Sequence, residues 1–297
     1  MFVKAIEKVV KFTRPFKSIS RCYGQAEIQA GCATFIIVND EGWILTCKHV
    51  AEQHQIAVNA YNKYSQFKNE LMLIPKNGKH YKTALKSLEK KYGYDKNKNI
   101  LIQQKNLFVG VVDKMTGFDW HYHPKYDVAL IHFNGFEKIL CNQYPVFAKD
   151  SSVLKQGMSL CRLGYPYPEF VDFRYIQEND DIEWTGEGRA DSPLFPIDGI
   201  MTRLCTDSDK VVQVELSTPG LKGQSGGPLF DVNGVIYGMQ SVTASLPLGF
   251  DQENRELIVK GVKKKVNDYS FIHLGRCIHV DVLKEFMDEH GVKYKVG

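Results

Sequence analysis

The chain has 297 residues, 43% of them hydrophobic and 24% charged, with a formal net charge of +4. That length and apolar content can bury one large core or two modest ones, and they exclude a disordered chain. The longest apolar runs, such as "VALIHF" (128–133) and "GVIYGM" (234–239), have strand length and fall far short of the roughly 20 residues needed to cross a bilayer, so no membrane span is expected.

In chain order, "MFVKAIEKVVKFTRPFKS" places Phe2, Ile6, Val9 and Val10 at helical spacing, while Lys4, Glu7, Lys8 and Lys11 interrupt any signal-peptide core. Segment 1–20 therefore reads as an amphipathic helix docked on the body, and a mitochondrial-type presequence is the minor alternative. Next, "ATFIIVND" (33–40) and "GWILTCKHV" (42–50) read as two strands joined by a turn at Asn39 to Gly42. Residues 61–105 then carry eleven lysines against three acids, with helical periodicity in "YKTALKSLEKKY" (81–92). Strand-like runs follow at 107–113, 127–133 and 159–165. Residues 169–191 carry eight acids against two arginines, and such charged blocks are usually solvated loops. Further strands are expected at "VVQVEL" (211–216) and "VIYGMQSV" (235–242). The tail "HVDVLKEFMDEH" (279–290) has one apolar face of Val280, Leu283, Phe286 and Met287, with Gly291 beyond it as C-cap. Many short strands with a terminal helix predict an all-β protein built as barrels or a sandwich.

Seven cysteines are scattered without a CxxC pair, and an odd number cannot all be bridged within the chain. They read as small buried hydrophobes in a reducing compartment, which favours a cytoplasmic location. His121 and His123 have no third ligand at a recognisable spacing. No metal and no cofactor is expected.

Three side chains carry the chemistry. Ser225 sits in "KGQSGGPLF" (222–230) among three glycines, His49 closes the apolar run "GWILTCKHV", and Asp127 opens "DVALIHF". Each alone has an ordinary reading, as a turn serine, a core histidine and a strand-start acid. Together they supply the nucleophile, base and orienting carboxylate of acyl transfer.

The stretches "GCATFIIVNDEGWILTCKHV", "HPKYDVALIHF" and "GQSGGPLFDVNGVIYGMQSV", in the order His, Asp, Ser, resemble the chymotrypsin-like (trypsin-fold) serine peptidases, most of all the high-temperature-requirement-like branch. The resemblance covers roughly residues 20–60 and 107–290. It implies two six-stranded antiparallel β-barrels, at 21–150 and 151–297, with the active site between them, the basic stretch 61–105 and the acidic stretch 169–191 being insertions. It implies His49, Asp127 and Ser225 as the catalytic triad, and the N–H groups of Gly223 and Ser225 as the oxyanion hole. Gly223 would permit the backbone twist that aims its N–H at the developing oxyanion.

Two departures from the resemblance are legible. Gln224 replaces the aspartate that pairs with a freshly cleaved N-terminus in secreted relatives, which argues against that activation. Pro219 stands where trypsins carry an acid. With Gly220 and the strand Ser241, Val242 and Thr243 as the expected substrate contacts, a small or medium apolar residue is expected before the cut, the substrate backbone adding as a strand. The basic and acidic insertions are expected to pair beside the cleft and regulate access. A polypeptide substrate is implied, a regulatory protein partner is left open, and nucleic acid is a lesser reading of the basic, tyrosine-rich stretch. The alternative function is a catalytically silent peptide-binding module of the same fold, with a basic partner-binding insertion.

Overall fold

The computed structural model describes residues 1–76, 78, 80–259 and 261–297. A short helix, α1 (Val3–Val9), precedes β1 (Thr13–Cys22), β2 (Ile28–Ile37) and β3 (Trp43–Thr46). Two helices follow, α2 (Lys48–Met72) and α3 (Tyr81–Tyr92), then β4 (Leu101–Phe108), β5 (Gly117–Tyr122) and β6 (Ala129–Asn134). These six strands form one antiparallel sheet in the order β4-β1-β2-β3-β6-β5. Its two edge strands do not pair with each other. Aromatic rings fill the space between them, Phe108 lying 6.1 Å from Phe118 and 5.4 Å from Phe133.

The second half contains β7 (Val146–Phe147), β8 (Ser159–Gly164), the hairpin β9 (Phe173–Ile176) and β10 (Asp181–Trp184), then β11 (Phe195–Asp207) and β12 (Lys210–Leu216). It continues with β13 (Pro228–Phe230), β14 (Val235–Pro247), a second hairpin β15 (Gln252–Val259) and β16 (Val262–Asp268), β17 (Phe271–His279), α4 (Val280–Glu289) and β18 (Lys295–Val296). Six antiparallel strands run β13-β8-β11-β12-β17-β14, and pairing of β13 with β14 closes the ring. Two-residue β7 and β18 add in parallel beside β14. The protein is thus all-β with six antiparallel strands in each half, the second closed and the first a curled half-barrel.

One hydrophobic core runs through both halves, from Phe35, Ile37 and Leu130 in the first sheet to Leu163, Phe230 and Ile236 in the second. The C-terminal helix buries Val282, Leu283, Phe286 and Met287, and burial of each such side chain stabilises the fold by roughly 1.5–3 kcal/mol. His279 caps its start, its ring accepting from Asp281 N, and Gly291 follows its end with φ +65°.

Three expectations need correction. The segment 1–20 is helical only to Val9; from Thr13 it is β1, an inner strand of the first sheet, because Thr13, Phe16 and Ile19 bury side chains there. The run 42–50 is a strand only to Thr46, and His49 lies in the first turn of the 25-residue α2. The basic stretch 61–105 is not a loop. It contains the C-terminal half of α2, all of α3 at the predicted 81–92, and the start of β4. Of its tyrosines, Tyr64 and Tyr94 are buried with Phe67 and Tyr23 in a separate aromatic cluster and Tyr92 packs against it, while Tyr61 is exposed.

Candidate active site

Strands β3 and β6 are neighbours, Thr46 opposite Ala129, so the chain leaving one and entering the other brings His49 beside Asp127. The imidazole Nδ1 lies 2.8 Å from Asp127 Oδ2 and 3.0 Å from Oδ1. His49 N also donates to Oδ1 at 3.0 Å, and Ser241 Oγ donates to Oδ2 at 2.6 Å. Burial alone would push the Asp127 pKa up, but these donors outweigh it and bring the carboxyl down to about 2. With Nδ1 facing a carboxylate, the ring proton belongs there and the Nε2 lone pair is left for another partner.

Ser225 sits on a tight turn of the second barrel. Gln224 N donates to Leu221 O and Gly227 N to Gln224 O, with Gly223 at φ +97° and Gly226 at φ +87°. A Cβ on Gly223 would come within 2.6 Å of Tyr165 O, and one on Gly226 within 2.0 Å of Thr34 O. Thr34, on β2, clamps this turn across the two halves: its N donates to Ser225 O at 2.9 Å and its Oγ1 to Gly223 O at 2.8 Å. Gln224 is fully buried, its Oε1 accepting from Leu221 N and its Nε2 donating to Phe195 O, so the turn is held without an ion pair at that position. Neither Gly223 N nor Ser225 N has a partner among the described residues.

The structure therefore unites His49 with Asp127, and Gly223 with Ser225, in one groove. It does not place Ser225 Oγ on the imidazole; that hydroxyl donates to Ser241 O at 3.3 Å. His49 and Ser225 both line each of two clefts that meet at them. One, of about 480 Å³, runs past Phe16, Cys32 and Pro166. The other, of about 310 Å³, is walled by Gly220, Gln240, Ser241, Val242 and Thr243. Pro219 does not line it, because its carbonyl turns beneath to accept from Arg162 Nη2 at 3.1 Å. From Val242 to Pro247, β14 pairs with β17 on one side only, so the other edge is open.

The two charged stretches do meet. Asp180, at the tip of the β9–β10 hairpin, pairs with Arg21 at 2.6 Å and accepts from Tyr64 and Tyr175, while Asp181 pairs with Lys105 at 2.9 Å. His121 packs between Trp43 and His290, tilted on the first and edge-on to the second, and His123 Nδ1 accepts from Lys125 N and Tyr126 N, so both histidines have structural occupations. Sequence reading missed Thr34, Gln240 and Arg162. Only Arg162 had a visible signal, as a lone charge inside the apolar run "SLCRLGY".

A closed antiparallel barrel beside a curled six-stranded sheet, with this groove between them, defines the trypsin fold. A family model described as "Trypsin-like peptidase domain" matches residues 33–239, and the chain belongs to that family. A solved HtrA-type protease with a bound decapeptide is similar at 10% identity and TM-score 0.46, covering 98% of this chain and 68% of that one. No curated protein matches the sequence.

Proposed function

We propose that this chain is a serine endopeptidase in which Ser225 attacks the scissile carbonyl. His49 Nε2 takes the hydroxyl proton and returns it to the leaving amine, and Asp127 holds the imidazole in the required tautomer and stabilises its cation. The free N–H groups of Gly223 and Ser225 receive the oxyanion. The substrate backbone adds along the open edge at 241–243, and the side chain before the cut enters the 310 Å³ pocket, whose volume suits a small or medium group.

One observation carries this reading: a histidine with its Nδ1 on a three-donor carboxylate shares a groove with a serine on a glycine-forced turn whose flanking N–H groups are unused. For chemistry, Ser225 Oγ must leave Ser241 O by rotation about χ1, and apo geometry is often loose in this way. The cysteines, all free, support a reducing compartment and with it a cytoplasmic site of action.

Labelling by a fluorophosphonate probe tests the proposal. The native protein should react at Ser225, Ser225→Ala should not react, and His49→Ala should react far more slowly. A folded native protein that never labels would favour the silent peptide-binding module, for which the Ser225–Ser241 hydrogen bond would be a resting state with no further purpose.

A further inference from the structure

Beneath the 310 Å³ pocket lies Arg162, on β8, with its side chain fully buried. Nη1 donates to Gln240 Oε1 at 2.8 Å. Nη2 donates to Thr218 Oγ1 at 2.6 Å, Thr218 O at 3.0 Å and Pro219 O at 3.1 Å, and Nε has no partner. Among the described residues no carboxylate lies within 4 Å of this guanidinium. A guanidinium keeps its charge inside a protein, and a buried charge without a counter-ion is costly. Four neutral acceptors hold the group in place without neutralising it.

Arg162 also decides which way Gln240 points. A guanidinium only donates, so the Gln240 oxygen must face it and the amide NH₂ must turn away. One of those N–H bonds reaches Val242 O at 3.1 Å, and the other is left on the side of Gly220, where a Cβ would approach Nε2 to 2.3 Å. Gly220 thus leaves room for the amide in the pocket wall. Lys222 stands exposed on the pocket lining, with no acid partner among the described residues. The one carboxylate on the lining, Asp127, is already engaged by His49 and Ser241.

We infer that this pocket takes an acidic side chain, the glutamate or aspartate immediately before the scissile bond of a polypeptide, with Gln240 donating to it and the buried Arg162 and rim Lys222 supplying the positive potential. The inference rests on the peptidase reading for the word "scissile" but concerns the pocket. It replaces the expectation of an apolar residue drawn from Pro219. Pro219 turns its carbonyl down onto Arg162, and Gln240 forms the wall instead.

The test uses peptides identical except for Glu, Gln or Leu at that one position. The intact protein should cleave the Glu peptide roughly 10- to 100-fold more efficiently than the Leu peptide, the span of a hydrogen bond to a charged group. Glu should also exceed Gln. Arg162→Met should shrink the Glu-over-Leu ratio to about threefold or less, and Lys222→Ala, an exposed change that cannot disturb folding, should reduce it by a smaller factor. Affinity of the same peptides for Ser225→Ala should follow the same order. Leu cleaved or bound as well as Glu, Gln matching Glu, or a ratio unmoved in both variants would overturn the assignment. The failures separate cleanly. Fluorophosphonate labelling without Glu preference sinks the pocket assignment alone, and Glu-selective binding without labelling sinks the peptidase reading alone.

Discussion

The seam between the first sheet and the acidic hairpin contrasts with the floor of the pocket beside Ser225. At the seam, Arg21 is almost fully buried and is met by Asp180, by Gln103 Oε1 at 2.8 Å and by the carbonyl of Gln25. On the outer wall of the closed barrel, buried Glu215 is similarly met by both Arg203 and Arg276. At the pocket floor, Arg162 is at least as deeply buried and meets only neutral oxygens. Where a charge has an opposite charge beside it, the pair closes on itself and serves the scaffold. Where it has none, its field extends into whatever space is open nearby, and here that space is a substrate-sized pocket.

The largest expected effects lie at the groove between these two regions. Ser225→Ala or His49→Ala should lower turnover by roughly four to six orders of magnitude, and Asp127→Asn by about four, measured as kcat/KM on a cleaved peptide. If those variants stayed active, the pocket would have no catalytic centre to serve and the contrast would lose its meaning. At the seam, Asp180→Ala strands Arg21. Discounted for the part-exposed carboxylate, the cost should be about 1–3 kcal/mol, read as a lower unfolding midpoint together with faster proteolytic nicking within 169–191. An unchanged midpoint would mean that the seam is no better paired, energetically, than the floor.

A smaller effect concerns pH. Asp127 has its carboxyl pKa held near 2, below its unfolded value, so it contributes stability above about pH 4 and loses that contribution as pH falls toward 2. The stability gap between wild type and Asp127→Asn should not narrow from neutral pH down to about 4 and should narrow below it. A gap that narrows already between pH 7 and 5 would contradict the three-donor arrangement around this carboxylate. The smallest effect is ionic. Pairs such as Lys105 with Asp181 and Lys91 with Glu70 are exposed enough that added salt should leave the unfolding midpoint nearly unchanged, with the seam held by Arg21 and the buried tyrosines.

Much of the fold was legible because alternation and apolar runs are local signals. The runs at 159–165, 211–216 and 235–242 are β8, β12 and the start of β14, and the helices at 81–92 and 280–289 fall where the 3.6-residue period placed them. What escaped was structure whose burial comes from distant partners. The helix α2 has a weak apolar face and begins inside a run that reads as a strand, and only its packing on β4 and the aromatic cluster explains its 25 residues. β1 is buried because β2 and β4 flank it, which nothing in "TRPFKSISRC" announces.

The sequence by itself determined the class of protein and singled out the candidate residues, because a histidine after an apolar run, a strand-opening acid and a glycine-flanked serine are written as short contiguous patterns. Only the tertiary structure decided how they are held and what they face: Thr34 clamping the serine turn from the other half, the acidic hairpin closing on Arg21, and Arg162 setting the orientation of Gln240. The physical reason is separation. Hydrogen-bond direction and uncompensated charge depend on groups brought together from positions 34, 162, 218 and 240, and no local pattern records which of them will meet.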